Sequence, residues 1–195
     1  MSRIAIVFHS GFGHTKVLAE QVKAGAEQIP GTQAQLIPVE EVDGRWSDLE
    51  AADAIIFGSP TYMGNVSGPF KVFMDASSKI WYGRGWQDKI AAGFTNSASQ
   101  SGDKLNTLIQ LAVFAAQHGM IWTGLDLLPG NNNSKGSVED LNRLGSFLGA
   151  MAQSNADESA EVVPPAADLK TAEHLGARVA ATAKAFVAGR QPVSA

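Results

Sequence analysis

Short apolar runs alternate with amphipathic helical segments along most of the chain, and this alternation constrains the fold more than any other feature. Residues 4–8, 54–58 and 90–95 are apolar almost throughout, which is typical of strands buried on both faces of a parallel sheet. Residues 34–39 and the segment that starts at Met120 are two further strand candidates. Helical patterns separate the strands, and a last helix is predicted over about residues 167–187.

Strands that alternate with helices predict right-handed crossovers and a parallel sheet. We therefore predict one α/β domain over residues 1–195, a flavodoxin-like three-layer sandwich whose five-stranded parallel sheet has the order 2-1-3-4-5. Residues 124–166 break the pattern and are interpreted as an insertion in or after strand five, near the ligand edge of the sheet. A mobile surface excursion is the alternative for its second half. Within it, residues 137–148 are expected to form a short helix.

Composition and charge exclude several functional classes. The chain has 45% apolar and 17% charged residues, a globular balance, and its net charge of −4 argues against nucleic-acid binding. It has no cysteine, and its four histidines lack the spacing of a metal-binding helix, so we expect no metal site. The sequence has no signal-peptide pattern and no apolar run of transmembrane length, which predicts a cytoplasmic protein without an integral membrane segment.

The segment Ser10-Gly11-Phe12-Gly13-His14-Thr15 lies between the first strand and the first helix. The start of a helix offers unpaired N–H groups and a positive dipole end, glycines allow close approach of the backbone, and Ser10 and Thr15 add hydroxyl groups. These features suit a phosphate monoester. The Walker A and G-x-G-x-x-G patterns are absent. The alternative is an ordinary strand–helix turn.

Three segments together resemble one protein family. The first is the loop 10–15, the second is Gly58-Ser59-Pro60-Thr61-Tyr62-Met63-Gly64-Asn65-Val66-Ser67-Gly68, and the third is Ala116-Gln117-His118-Gly119-Met120. They resemble, in order, the FMN-phosphate loop, the second flavin loop and the histidine segment of flavodoxin-like NAD(P)H:quinone oxidoreductases of the tryptophan-repressor-binding-protein type. The resemblance extends to about Trp122 and returns in the last helix.

The resemblance implies an FMN site built from three loops. Its predicted cofactor-binding residues are Ser10, Gly11, Phe12, Gly13, His14 and Thr15 in the first loop, Pro60, Thr61, Tyr62, Met63, Gly64 and Asn65 in the second, and Thr95, Asn96, Ser97, Ser99 and Ser101 in the third. Alternatively, the second and third loops are plain strand–helix connections with helix caps. The family has an arginine–aromatic pair where this chain has Tyr62-Met63, which leaves open how a negatively charged reduced flavin is stabilised.

Aromatic residues and one histidine complete the predicted site. Phe12, Tyr62, Trp81, Tyr82 and Trp86 are expected to cluster near the ligand loops. The resemblance implies that Phe12 contacts the nicotinamide co-substrate, that Trp81 lines the substrate cleft across a subunit interface, and that His118 bonds a quinone oxygen or donates a proton. The alternatives are dimer packing for the tryptophans and a helix-terminal role for His118.

The implied function is two-electron transfer from NAD(P)H to a quinone or similar small acceptor, with FMN as cofactor, in a homodimer or homotetramer. One alternative is a one-electron flavodoxin-type carrier, although such carriers tend to be more acidic than this chain. Another is a flavin-binding regulatory protein without turnover. A signalling receiver domain would need acidic residues where this chain has His9-Ser10 and Gly58-Ser59.

Overall fold

The computed structural model describes residues 1–190, which form a parallel sheet between two layers of helices. The strands are β1 (Ser2–Phe8), β2 (Thr32–Pro38), β3 (Ala54–Tyr62), β4 (Asn65–Val66), β5 (Ile90–Ser97), β6 (Ile121–Trp122) and β7 (Ala150–Gln153). The helices are α1 (His14–Glu27), α2 (Trp46–Ala51), α3 (Gly68–Ala76), α4 (Ser78–Tyr82), α5 (Lys104–Gln117) and α6 (Ala166–Gly189), with a 3₁₀ helix at Val39–Gly44.

The strand order is β2-β1-β3-β5-β6, and β7 pairs with the later part of β5. All of these pairs are parallel, whereas β4 makes a two-residue antiparallel pair with the end of β3. Because β6 and β7 occupy the same edge of β5 in succession, they are two pieces of one split fifth strand. The predicted flavodoxin-like fold and strand order are confirmed.

Residues 123–149 connect the two pieces of the fifth strand, so the range 124–166 contains strand β7 and does not run as one uninterrupted excursion. The predicted helix over 137–148 is wrong. Ser137 N donates to Asp140 Oδ2 at 2.8 Å, as at a helix start, but the segment continues in turns. Asn142 has a positive φ of 50° and its side chain bonds Leu127 O and Ser146 O, so the backbone there follows a turn rather than a helix.

Two apolar cores lie on the two faces of the sheet. One contains α1 and α6 with Ile4, Ile6 and Ile56 of the strands, and the other contains α3 and α5 with Ile55 and Phe57. Successive strand residues point to opposite faces, which explains why the central strands are apolar throughout. No helix within residues 1–190 is long and apolar enough to cross a membrane.

Candidate flavin site

Three loops meet at the carboxyl edge of the sheet and enclose a cavity of about 450 Å³. They follow β1, β3 and β5, which are adjacent strands, and parallel strands place their carboxyl ends at one edge. The cavity volume falls within the range of about 300–1,000 Å³ that is usual for ligand sites. The predicted residues that line it are Ser10, Gly11, Phe12, His14, Thr15, Pro60, Thr61, Tyr62, Met63, Gly64, Asn96, Ser97 and Ser99.

The first loop presents the start of α1 to the cavity. No backbone N–H of residues 11–15 donates to a backbone carbonyl of residues 1–190, because these groups precede or begin the helix. Ser10 Oγ accepts a hydrogen bond from Lys16 N at 3.1 Å and fixes the loop on the helix. Gly13 has a φ of 90°, a conformation that favours glycine, and lets the chain turn into α1. The arrangement suits an anionic group at the helix N-terminus.

The segment after β7 covers this first loop. His14 Nε2 donates a hydrogen bond to Glu158 O at 2.9 Å, and a Cβ on Gly13 would lie 3.0 Å from the Cβ of Ala160. Ser154 and Ala156 line the cavity itself. The end of the fifth strand therefore contributes a fourth wall to the cavity.

The second loop continues β3 as far as Tyr62 and turns back at Met63 and Gly64, whose φ values are 47° and 76°. Thr61 Oγ1 lies 2.8 Å from both Thr95 Oγ1 and Thr107 Oγ1, so its hydroxyl group faces the protein. Thr61 can thus offer a ligand its backbone but not a free hydroxyl.

The first and second loops also touch each other. A Cβ on Gly11 would lie 2.8 Å from the Tyr62 hydroxyl oxygen, so a side chain larger than hydrogen at position 11 would displace Tyr62. Burial raises the pKa of Tyr62, which is therefore a neutral hydroxyl at pH 7.

The third loop is held by buried polar contacts. Ser154 Oγ donates to Asn96 Oδ1 at 2.9 Å, and Lys104 Nζ donates to Ser97 Oγ at 2.9 Å and to Ser99 O at 2.7 Å. Amide and hydroxyl groups on a wall fixed in this way suit the polar edge of a flat heterocycle.

Four of the predicted cofactor residues do not line the cavity: Gly13, Asn65, Thr95 and Ser101. Thr95 is fully buried behind Thr61. Gly13 allows the turn of the first loop through its positive φ but does not line the cavity. The Ser101 carbonyl accepts a hydrogen bond from Lys104 N at the start of α5. Asn65 lies on a second cavity.

The second cavity, of about 880 Å³, contains His118 and Trp81 and lies between α3, α4 and α5. His118 is only 4% exposed, and its Nε2 lies 2.9 Å from Ser77 Oγ. Because Ser77 Oγ donates to Met74 O, His118 Nε2 carries the proton and donates to Ser77. Burial lowers the pKa of His118 to about 4, so the ring is neutral at pH 7.

One expectation from the sequence is wrong, and another stays a prediction. The role of His118 toward a quinone stays a prediction: its ring lies on the second cavity with Nε2–H bonded to Ser77, and its lowered pKa disfavours proton donation at pH 7. Trp86 is fully buried and packs on His118 with a ring-centroid distance of 4.3 Å, so it belongs to the core and not to an aromatic cluster at the ligand loops. By contrast, Phe12 is 78% exposed at the cavity mouth and Trp81 is half exposed.

Several lining residues were missed by the sequence analysis: Ala98, Gly102, Asp103, Ser154 and Ala156. The last two directly follow β7, so recognising that short strand would have identified them through the carboxyl-edge rule. Buried Lys104 was also missed, because a lysine in the first turn of a helix ordinarily points to solvent.

Comparisons with known proteins agree with this geometry. Residues 12–125 match the family described as NADPH-dependent FMN reductase, which is more than half of the chain. The chain belongs to this family. Flavodoxin FldP of Pseudomonas aeruginosa (strain UCBPP-PA14) is 45% identical over 184 residues, which cover 92% of this chain and 96% of the relative. An NAD(P)H dehydrogenase (quinone) of Archaeoglobus fulgidus is 32% identical over 94% of this chain and 98% of its own length.

A solved structure supports the same assignment. The flavodoxin, WrbA-like protein from Agrobacterium tumefaciens is 43% identical and superposes with a TM-score of 0.73, covering 95% of this chain and 99% of that one. Membership of the FMN reductase family confirms the recognised resemblance and the prediction of FMN, with NAD(P)H as co-substrate, at the level of the family.

The residues that line the cavity fit FMN, the cofactor expected for a member of this family. A helix N-terminus with hydroxyl groups suits the phosphate, glycine at position 11 leaves room that a Cβ would fill, and polar groups on the third loop suit the pyrimidine edge.

Proposed function

We propose that this chain binds FMN in the three-loop cavity and passes two electrons from NAD(P)H to a quinone or similar small acceptor. The observation that carries the proposal is the convergence of all three predicted loops on one cavity with an open mouth. Phe12 and Met63 are largely or fully exposed at that mouth, so one side of a bound ring would stay accessible to a second molecule. Accessibility is what a reductase needs, because donor and acceptor must each reach the ring.

Binding and orientation are the tasks we assign to the first loop. Ser10 Oγ already accepts from Lys16 N, so its hydrogen is available to a phosphate oxygen. Thr15 and the backbone N–H groups of residues 11–15 would complete the phosphate site, aided by the positive end of α1.

The second and third loops would position the ring and exclude water from it. The backbone of residues 60–64 lies along one wall, and Asn96, Ser97 and Ser99 lie along another. When bound, FMN supplies the two-electron chemistry, while the protein supplies geometry and electrostatics.

Self-association is part of the proposal. Helices α3, α4 and α5 expose apolar side chains, among them Val72, Tyr82 and Val113, near the cavity that holds Trp81. Gly64 lines the first cavity and its neighbour Asn65 lines the second, so the two are adjacent along one loop. We propose a homodimer or homotetramer in which this surface is covered and Trp81 faces the acceptor site, in a protein of the cytoplasm. Light scattering measures the molar mass of wild type and of Val113→Glu in solution. The variant should have a lower molar mass than wild type, and a monomeric wild type would contradict the proposed assembly.

A one-electron carrier is the second candidate, and the flavodoxin name of a relative with 45% identity favours it. The deciding experiment mixes the FMN-loaded protein with NADH or NADPH without oxygen and then adds benzoquinone. The proposed reductase should lose its oxidised-flavin absorbance with one nucleotide and regain it with the quinone. If dithionite reduces the flavin but neither nucleotide does, the reductase proposal fails and the carrier or a regulatory flavoprotein takes its place.

A further inference from the structure

Lys104 is a fully buried lysine directly behind the third loop. Its Nζ donates to Ser97 Oγ at 2.9 Å and to Ser99 O at 2.7 Å, and both serines line the proposed flavin cavity. The ammonium group is therefore one hydrogen bond behind the cavity wall. Within residues 1–190, no lysine or arginine lines the cavity itself.

The charge of Lys104 is not paired with a carboxylate. In the described part of the chain it forms no salt bridge, and the carboxylate that acts on it, Asp168, is bound by Arg143 through two contacts of 2.7 and 2.8 Å. Gln153 N also donates to Asp168, at 2.9 Å. Lys104, Arg143 and Asp168 together thus retain one positive charge. Asp103 lines the cavity but is exposed, so water screens its charge.

The position of Lys104 is unfavourable for stability. It is the first residue of α5, where the helix dipole disfavours a cation, and removing an unpaired ammonium group from water costs free energy. Burial lowers the pKa of Lys104 to about 8, which leaves the side chain mostly charged at pH 7. The hydrogen bonds to Ser97 and Ser99 hold the third loop at this cost, and they also keep the ammonium group beside the cavity wall.

We propose that Lys104 favours reduced over oxidised FMN in this cavity, by holding a buried positive charge behind the wall formed by Ser97 and Ser99. The proposal rests on the proposed function, because it requires FMN in the cavity. A hydride from NAD(P)H brings two electrons and one proton to the neutral ring, NAD(P)⁺ leaves, and the ring retains one negative charge. A cation close to that charge would stabilise the reduced form, and among residues 1–190 no lysine or arginine lines the cavity beside Tyr62 and Met63.

The test measures the ratio of the dissociation constants of oxidised and reduced FMN, through the two-electron midpoint potential and direct titration of the apoprotein. The variants are Lys104→Met and Lys104→Gln. The control is Lys23→Met, which removes a lysine of α1 that pairs with Glu27 and does not line the cavity. Both Lys104 variants should weaken reduced FMN at least tenfold relative to oxidised FMN, which is about 30 mV toward more negative potential. Lys23→Met should change the ratio less than twofold.

Two results would overturn this inference. One is a ratio within twofold of wild type in both Lys104 variants while FMN still binds. The other is an apoprotein that fails to fold in both variants, which would make Lys104 a structural residue. Failure of the proposed function is recognised separately, because wild-type protein would then either not bind FMN or hold FMN that neither NADH nor NADPH reduces.

Discussion

Protonation of His118 should make the folded protein sensitive to acid. Its ring is buried against Trp86, and Nδ1 has no hydrogen-bond partner within the described residues. A pKa lowered from 6.5 to about 4 means that the unfolded chain takes up a proton over this range and the folded chain does not. Stability should therefore be unaffected by this group above pH 7 and should fall as the pH drops from 6.5 toward 4.

The size of the effect follows from the same values. At 1.36 kcal/mol per pKa unit, the full difference is about 3 kcal/mol, of which about 2 kcal/mol is lost by pH 5. Urea unfolding of the apoprotein from pH 7.5 to pH 5, for wild type and His118→Gln, measures it. The wild type should lose about 2 kcal/mol more than the variant over this range. His174→Gln, on α6, is the control. Parallel pH profiles for wild type and His118→Gln would refute the reasoning.

Two further substitutions test how the site is held in place. Arg143→Met leaves Asp168 buried without its cation and should lower the free energy of unfolding in urea by about 3–5 kcal/mol. The double variant with Asp168→Leu should recover most of that loss. Equal stability of Arg143→Met and wild type would contradict this prediction. Gly58→Ala places a Cβ 2.1 Å from Phe94 Cζ and should lower the free energy of unfolding by about 1–3 kcal/mol or more, measured by thermal unfolding. Gly189→Ala, whose Cβ would meet no atom of residues 1–190 within 4 Å, is the control and should leave the free energy of unfolding unchanged. If Gly58→Ala unfolded at the same midpoint temperature as wild type, the contact between β3 and β5 would not be tight.

The sequence predicted the fold well because buried parallel strands have a strong signature. Residues 4–8, 54–58 and 90–95 are apolar on both faces, and the loops after them fall at one sheet edge in any fold of this order. The split of the fifth strand was not predictable in detail. β6, Ile121–Trp122, has the strand propensity that the sequence analysis used, but the four residues of β7, Ala150–Gln153, do not, and they form a strand because β5 offers an edge to pair with.

Side-chain environments were harder to predict than loops. Trp86 follows Gly83-Arg84-Gly85, a polar context typical of surface loops, but tertiary packing places its ring among Phe57, Phe73 and Phe114. Lys104 is similar, since nothing in the first turn of a helix signals that a lysine will turn inward to the third loop. Charge burial depends on contacts between distant segments, which a single sequence does not display.

Equilibrium titration of the apoprotein with FMN tests the central claim most directly, comparing wild type, Gly11→Leu and the control Gly44→Leu. A side chain at position 11 would occupy the space beside the Tyr62 hydroxyl at the cavity, whereas a Cβ at position 44 would meet no atom of the described residues within 4 Å. We expect one FMN per chain for wild type and Gly44→Leu, and for Gly11→Leu an affinity at least tenfold lower with an unchanged thermal midpoint of the apoprotein. Wild-type affinity in Gly11→Leu would place FMN elsewhere and contradict the account.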